Sequence, residues 1–176
     1  MSGAVINGSD FERAILSSAD LCSAQISETQ FAFVWMPGSH WADCKLRGSN
    51  FQKANLRDAR FQGSSIESCK FKGAILSDSS FHHARMSTCD FSESEMEKAQ
   101  FLRAQLRSCR FVGARATGAN FSNAQVKACD FARAELGGAA PGGGDVSRVQ
   151  VAAGTRSAQR DNPGDHGAAD SADRPR

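Results

Sequence analysis

Apolar residues recur at every fifth position along most of the chain, and a second column of small residues precedes them by two positions. All 27 positions at this spacing from Ile6 to Leu136 are apolar, and eleven of them are Phe. The residue two places earlier is Ala, Ser, Cys or Thr everywhere except at Val34. A period of five fits neither an α-helix nor a β-strand. It predicts a chain that turns a corner every five residues and buries one large and one small side chain along each side.

Four such sides would close a square coil of twenty residues, and the residue types also repeat at this longer spacing. Phe71 and Phe91 would share one wall, Phe61 and Phe81 the opposite wall, and aliphatic residues the two walls between them. Coils would stack through backbone hydrogen bonds at the roughly 4.8 Å spacing of adjacent strands. We therefore predict an all-β fold, a right-handed quadrilateral β-helix (β-solenoid) of about six to seven coils.

The composition changes abruptly after Leu136. A Gly-rich stretch leads into a segment rich in Ala, Gly, Asp and Arg whose larger aliphatic residues are three Val. Such a segment buries too little apolar area to offset its ordering entropy. We predict a repeat domain at 1–138 and a disordered tail at 139–176. The last coil would then lack a capping helix, so we expect Phe131 and Leu136 to stack against a second copy in a homodimer, or against a different protein.

The composition around residues 31–41 departs from the repeat without breaking its register. Phe33 and Trp35 occupy outward positions, and Ile15 lies one coil before Trp35 on the same face. Pro37 follows at a corner, with His40 beyond it. Two interpretations remain open: a bulged corner that folds the rings under a local loop, or an exposed apolar patch formed by Ile15, Phe33, Trp35 and His40 that contacts a protein partner.

Charge and length exclude several classes of function. The chain has 176 residues and a net charge of +2, and no run of apolar residues is long enough for a membrane helix. Its start has no secretory signal, so we expect a cytoplasmic protein, with export by a signal-independent route left open. Residues 1–138 hold fourteen acids and sixteen bases. This balance argues against direct nucleic-acid binding and against a strongly acidic surface.

One local excess of acids lies within the repeat. The cluster contains Asp90, Glu93, Glu95 and Glu97. We expect it to be offset by the bases that follow it, namely Lys98, Arg103, Arg107 and Arg110.

Candidate chemistry is sparse. Five of the six Cys fall in the small inner column, where neighbours point the same way, so we expect buried side chains rather than a metal site or a disulfide. Cys22 follows an inner Leu and is expected to be exposed and the most reactive thiol. His82 and His83 lie at a corner without a third ligand. We therefore predict no catalytic residue, no metal and no cofactor, and hence no enzyme.

Four segments carry a resemblance to a known family. They are Ala19-Asp20-Leu21, Ala54-Asn55-Leu56, Ala119-Asn120-Phe121 and Cys129-Asp130-Phe131. With the period over residues 4 to 138, they make the chain resemble pentapeptide-repeat proteins. The resemblance implies a non-enzymatic scaffold for protein–protein interaction, such as a bacterial secretion-associated effector or accessory protein. It also implies an alternative, a DNA mimic that binds DNA gyrase or topoisomerase and confers quinolone tolerance.

Overall fold

The structure, a computed structural model, describes residues 1–139. Seven short parallel strands stack in chain order in one sheet: β1 (Val5–Asn7), β2 (Gln25–Ser27), β3 (Lys45–Arg47), β4 (Ser65–Glu67), β5 (Arg85–Ser87), β6 (Gln105–Arg107) and β7 (Gln125–Lys127). Each strand pairs with the next at an offset of one twenty-residue coil, as in the pair Ile26 and Leu46. No helix in residues 1–139 has the length and apolarity needed to cross a membrane.

Three further points of parallel pairing occur in every coil. Gln30 pairs with Asn50, Trp35 with Asn55 and His40 with Arg60, so the coil has four sides. The predicted quadrilateral β-solenoid is therefore confirmed. We number the sides in chain order: side 1 carries β1–β7, and sides 2, 3 and 4 carry the inner columns that begin at Phe11, Leu16 and Leu21.

Aromatic rings fill the interior from two opposite sides, as the twenty-residue repeat predicts. On side 2, Phe71 and Phe91 stack with their ring centroids 4.8 Å apart, and on side 4, Phe61 and Phe81 stack at 4.9 Å. Between the two columns the rings meet edge to face, as Phe61 and Phe71 do at 6.3 Å and 86°. Both geometries are favourable for aromatic pairs. Because the aliphatic columns of sides 1 and 3 occupy the remaining width, the coil is filled with side chains.

Each corner turns at a residue with positive φ, and many of these residues are not Gly. On sides 2 to 4 a backbone hydrogen bond closes the corner, as from the Ala54 N–H to the Phe51 carbonyl oxygen at 3.1 Å. Positive φ costs a non-Gly residue on the order of 1 kcal/mol or more, which pairing to the coils on both sides offsets. Gly38 has a φ of 65°, close to the 58° of Phe33. The corner at Pro37 and Gly38 therefore continues the register.

The last bridge within the described residues joins Arg115 to Glu135, and the boundary at residue 138 stays a prediction. Residues 140–176, which make up all but the first residue of the predicted disordered tail, lie outside the described part of the chain. The prediction for the tail therefore stays a prediction.

Candidate functional site

Three large apolar side chains project from neighbouring positions near one end of the rod. Ile15 is 80% exposed, Phe33 45% and Trp35 51%. Trp35 pairs in register with Ile15 and Asn55, while Val34 keeps its inner position at 1% exposure. The interpretation of a bulged corner that covers these rings is therefore wrong, because the backbone pairing is continuous and both rings point outward. We call Ile15, Phe33 and Trp35 the aromatic patch.

The ring of Phe33 lies between two cations of the neighbouring coils. The Arg13 guanidinium carbon lies 5.4 Å from the ring centroid, and the Lys53 ammonium nitrogen lies 5.6 Å from it. Each contact contributes about 0.5–1 kcal/mol at an exposed site. Phe33 is thus held by its own chain on both sides, and Trp35 offers the freer aromatic surface of the patch. The patch also has a positively charged border on the side of Phe33.

His40, predicted as part of the patch, lies on the next side of the coil. It pairs with Asp20 and Arg60 on side 4, whereas Trp35 lies on side 3, and His40 is half-buried. The structure instead adds Ile75, which is half-buried and lies two coils beyond Trp35 in the same outward column. The twenty-residue register that links Ile15 to Trp35 also places Ile75 in this column, so its outward position could have been predicted from the sequence.

The two residues predicted for end-to-end stacking differ in exposure. Phe131 is only 5% exposed, since its ring stacks on Phe111 at 4.6 Å and meets Phe121 edge to face at 6.0 Å. Leu136 is half-buried. The first coil leaves the opposite end of the rod similarly open, since Ile6, Phe11 and Leu16 are also half-buried. Homodimerisation through Phe131 and Leu136 remains a prediction, with Leu136 as the more accessible contact.

Four Cys stack in the small inner column that follows the strands of side 1. Each thiol lies 3.3 to 3.4 Å from the carbonyl oxygen two residues earlier and donates to it: Cys69, Cys89, Cys109 and Cys129. These thiols are buried, as predicted. Burial raises the pKa of Cys69 to about 12, which suppresses the thiolate at neutral pH. Their observed contacts are structural, because they satisfy backbone carbonyls at the corners.

The expectation for Cys22 needs a correction. The residue is half-buried rather than exposed, and burial together with a hydrogen bond to the Asp20 side chain raises the pKa of its thiol. Cys22 nevertheless remains more accessible than the other five Cys, all of which are buried. At the predicted histidine corner, His82 is half-buried and His83 is exposed. Within residues 1–139, no three His, Cys, Asp or Glu residues form a group suited to a metal ion.

The predicted partners of the acidic cluster are right only in part: Arg110 lies beside Asp90 in the register, but the ion pairs of the cluster within residues 1–139 involve other bases. Glu93 pairs with Lys72 at 3.2 Å, and Arg115 pairs with both Glu95 at 3.2 Å and Glu97 at 2.7 Å. The partners lie about one coil away in sequence, because stacking brings such residues side by side. Partial burial works against ionisation of Glu97, but hydrogen bonds from Ser77 and Arg115 outweigh it, so the pKa of this carboxyl lies below its ordinary value.

The near-neutral total charge conceals an uneven distribution around the coil. The outward positions of β1–β7 hold five bases and one acid, Glu67. Side 3, opposite, presents Ile15 and Trp35 near one end and Glu95 and Glu97 further along. Side 3 also carries Arg57 and Arg115, and Arg115 pairs with both glutamates. The rod therefore has a basic side facing away from a side that is apolar near one end and of mixed charge further along.

Comparison with known proteins agrees with this architecture. The family model for a pentapeptide repeat region matches residues 64–140, and that for pentapeptide repeats in eight copies matches 1–31 and 24–63. No curated protein matches the chain in sequence.

Two solved structures match most of the chain at low sequence identity. A trypsin-treated form of QnrB1, a plasmid-mediated fluoroquinolone resistance protein, is 16% identical, with 78% of this chain and 89% of that chain covered and a TM-score of 0.46. HetL, a pentapeptide repeat protein involved in heterocyst differentiation regulation from the cyanobacterium Nostoc, is 14% identical, with 86% and 88% covered and a TM-score of 0.30. Since the family models match from residue 1 to residue 140 and the coils turn every five residues, the protein belongs to the pentapeptide-repeat family.

Proposed function

We propose that this protein is a non-enzymatic scaffold that binds a protein partner through the aromatic patch. The observation that carries the proposal is the outward position of Trp35, 51% exposed, beside Ile15 at 80% and Phe33 at 45%. Large apolar side chains that cluster on a surface mark contact sites, and Trp is enriched among the residues that dominate binding energy. Elsewhere in the register, outward positions are mostly polar.

The rigidity of the wall supports a binding role. The Trp35 N–H donates to the Ala14 carbonyl oxygen at 2.9 Å, and the Trp35 carbonyl oxygen accepts from the Leu16 N–H at 2.8 Å. Since the backbone under the ring is fixed before a partner arrives, binding orders little more than side chains, which limits its entropic cost. Arg13 already pairs with Glu12 at 3.3 Å, so Lys53 is the cation beside Phe33 that favours a partner with a carboxylate at the border of its apolar groove.

The filled interior supports a non-enzymatic role, because an enzyme needs a site where a nucleophile, a base and a substrate can meet. Large side chains such as Phe71 and Leu76 are fully buried and occupy that space.

The cytoplasmic location, the association with bacterial secretion and the homodimer built on Phe131 and Leu136 belong to this proposal as predictions. Light scattering at micromolar concentration tests the dimer: a monomer, or a dimer unaffected by Leu136→Glu, contradicts it.

A comparison of three purified baits tests the scaffold. Wild type, Trp35→Ala and Val5→Ala are used to capture proteins from a bacterial extract, and candidate partners are then purified and titrated. Val5 is the matched control, because it is an exposed apolar residue (76%) that lies on side 1, away from the patch. We expect a partner that binds wild type and Val5→Ala equally and Trp35→Ala at least roughly tenfold more weakly.

Stability is measured in parallel, since a binding loss has meaning only in a folded variant. Trp35→Ala should change the free energy of unfolding by less than about 1 kcal/mol, because half of the side chain already contacts solvent. A large loss of stability, or equal binding of every candidate partner to all three baits, contradicts the role of the patch.

The alternative of a DNA mimic that binds gyrase predicts a densely negative surface. The five bases on side 1 weigh against it and favour the scaffold. A supercoiling assay with purified gyrase separates the two. We expect no inhibition of gyrase and no protection from quinolones at low micromolar protein. Either effect would favour the DNA mimic over the scaffold.

A further inference from the structure

A groove runs along side 1, parallel to the axis of the rod. In each strand the middle residue points inward and its two neighbours point outward. The outward side chains of successive strands therefore form two parallel rows, or ladders, with a channel between them. Over β4–β7 the channel has a volume of about 210 Å³. The outward residues that line it on β5–β7 are Arg85, Ser87, Gln105, Arg107, Gln125 and Lys127.

The charges that line this groove are positive, although Glu67 on β4 stands just beyond the lining, at the end of the ladder that carries Ser87, Arg107 and Lys127. Arg85, Arg107 and Lys127 line it and are exposed, and its lining includes no acid. The register of β6 and β7 places Arg107 directly beside Lys127. Like charges at adjacent strand positions destabilise a sheet, and an anion between them removes that cost. Within residues 1–139, none of these three bases lies within ion-pair distance of a carboxylate.

We propose that the groove over β4–β7 binds an acidic, extended segment of a partner protein. The width between the ladders, set by two positions of one strand, admits a single extended chain. At roughly 4.8 Å per coil, the four strands span about 14 Å, which is the length of four or five extended residues. Carboxylates of such a segment would meet Arg85, Arg107 and Lys127, and the amides of Gln105 and Gln125 would donate to and accept from its backbone.

The lining favours a peptide over a nucleic acid. Single-stranded nucleic acids are held by aromatic side chains on which the bases stack. The groove has none, and its only apolar residues are Met86 and Leu106 at the floor. The chain's own segment 140–176 carries five Asp and five Arg and so has no net charge. Four of these Asp lie within 161–173, but any five consecutive residues there include at most two of them, too few to meet all three bases. A separate acidic partner is therefore the occupant that fits the charge.

This site lies on the side opposite Ile15 and Trp35, so the proposal does not depend on the aromatic patch. Occupation of both would let the rod hold two partner segments on opposite sides. Failure of one proposal would leave the other intact, because Trp35→Ala should not affect binding at the groove.

Fluorescence anisotropy with a labelled oligoglutamate peptide tests the proposal on the full chain, at about 150 mM salt where weak surface charge effects are screened. The groove variant combines Arg85→Gln, Arg107→Gln and Lys127→Gln. Its matched control combines Arg60→Gln, Arg103→Gln and Arg133→Gln, which removes the same charge from exposed positions on sides 2 and 4. We expect the groove variant to bind at least roughly tenfold more weakly than wild type and the control variant less than about threefold more weakly.

Several results would overturn the proposal. Equal losses in the two triple variants would show that binding follows net charge alone. If wild type does not bind the oligoglutamate peptide saturably, the groove is not a site for acidic segments. An oligothymidylate of matched charge that binds more tightly than the peptide and is lost in the groove variant would reassign the groove to nucleic acid. Circular dichroism and thermal unfolding of both variants confirm that losses arise in folded protein.

Discussion

Substitution Phe71→Ala tests the claim that the aromatic columns are continuous along the rod. Phe71 is fully buried, stacks on Phe51 at 4.9 Å and on Phe91 at 4.8 Å, and meets Phe61 edge to face at 6.3 Å. Truncation of a buried Phe costs about 3–5 kcal/mol through lost transfer energy and the cavity left behind. Three lost ring contacts of about 0.5–1.5 kcal/mol each place the expected cost in the upper part of that range.

Phe11→Ala provides the comparison at the end of the same column. Phe11 is half-buried and stacks on one ring only, that of Phe31 at 5.1 Å. With part of its ring exposed and one stack in place of two, its truncation should cost less, about 2–3 kcal/mol. Phe71→Leu is the control for volume, since Leu fills much of the space, and should cost no more than about 2 kcal/mol.

Equilibrium unfolding in urea, followed by far-ultraviolet circular dichroism and Trp fluorescence, measures these differences. Trp41 is fully buried, and its indole N–H donates to the Ser39 hydroxyl at 2.7 Å, so its emission reports on the core. A gap in mid-stack also weakens coupling between the halves, so Phe71→Ala should broaden the transition and lower its apparent m-value. A Phe71→Ala cost no larger than that of Phe11→Ala would refute the continuous column.

Two further predictions concern titratable groups. At about pH 8 a thiol reagent should modify the native protein at Cys22 alone, because burial raises the pKa of Cys44 and of Cys69 to about 12. The reaction at Cys22 should be slow, because the pKa of its thiol is also raised. Rapid reaction of several thiols would contradict this. Because the pKa of Glu97 is lowered in the folded state, its pairing with Arg115 stabilises the rod above the ordinary pKa of 4.5 and is lost as the pH falls through the lower folded value. Arg115→Gln should therefore cost about 0.5–1 kcal/mol in urea unfolding at about pH 7 and progressively less as the pH falls below 4.5, whereas a cost that does not change with pH would argue against the pairing.

The aromatic patch shows how much of a candidate site can be predicted from the sequence. The position of Trp35 in the five-residue period predicted that it points outward, and its spacing from Ile15 predicted their contact, because both follow from the register. The sequence could not decide between an exposed patch and a covered one, since that depended on whether the corner at Pro37 bulges. It also placed His40 with the patch on proximity in sequence, although a corner turns that residue onto the next side.

The twenty-residue register that places Ile15 beside Trp35 also places Glu95 beside Arg115 and Arg107 beside Lys127. The partners of Glu95 and Glu97 were sought among the bases that follow them in sequence, whereas Arg115 reaches both from the next coil. The groove likewise depends on Arg107 and Lys127 standing side by side on separate strands. The register does not show that Arg115 also reaches Glu97, or that a channel lies between the two ladders of side 1, because both depend on side-chain conformation and on distances across the stack.

The sequence by itself determined which side chains lie inside, how many residues close a coil and which inner residues stack. These follow from local backbone geometry, because a corner at every fifth residue fixes the direction of each side chain before any coil meets its neighbour. Only the tertiary structure decided which of the four sides carries strands. On side 2 the Ala54 N–H closes the corner by donating to Phe51, whereas after β3 the Ser49 hydroxyl donates to the Arg47 carbonyl oxygen. Side-chain donors of this kind compete with backbone turns, and their effect shows only when the coils are stacked.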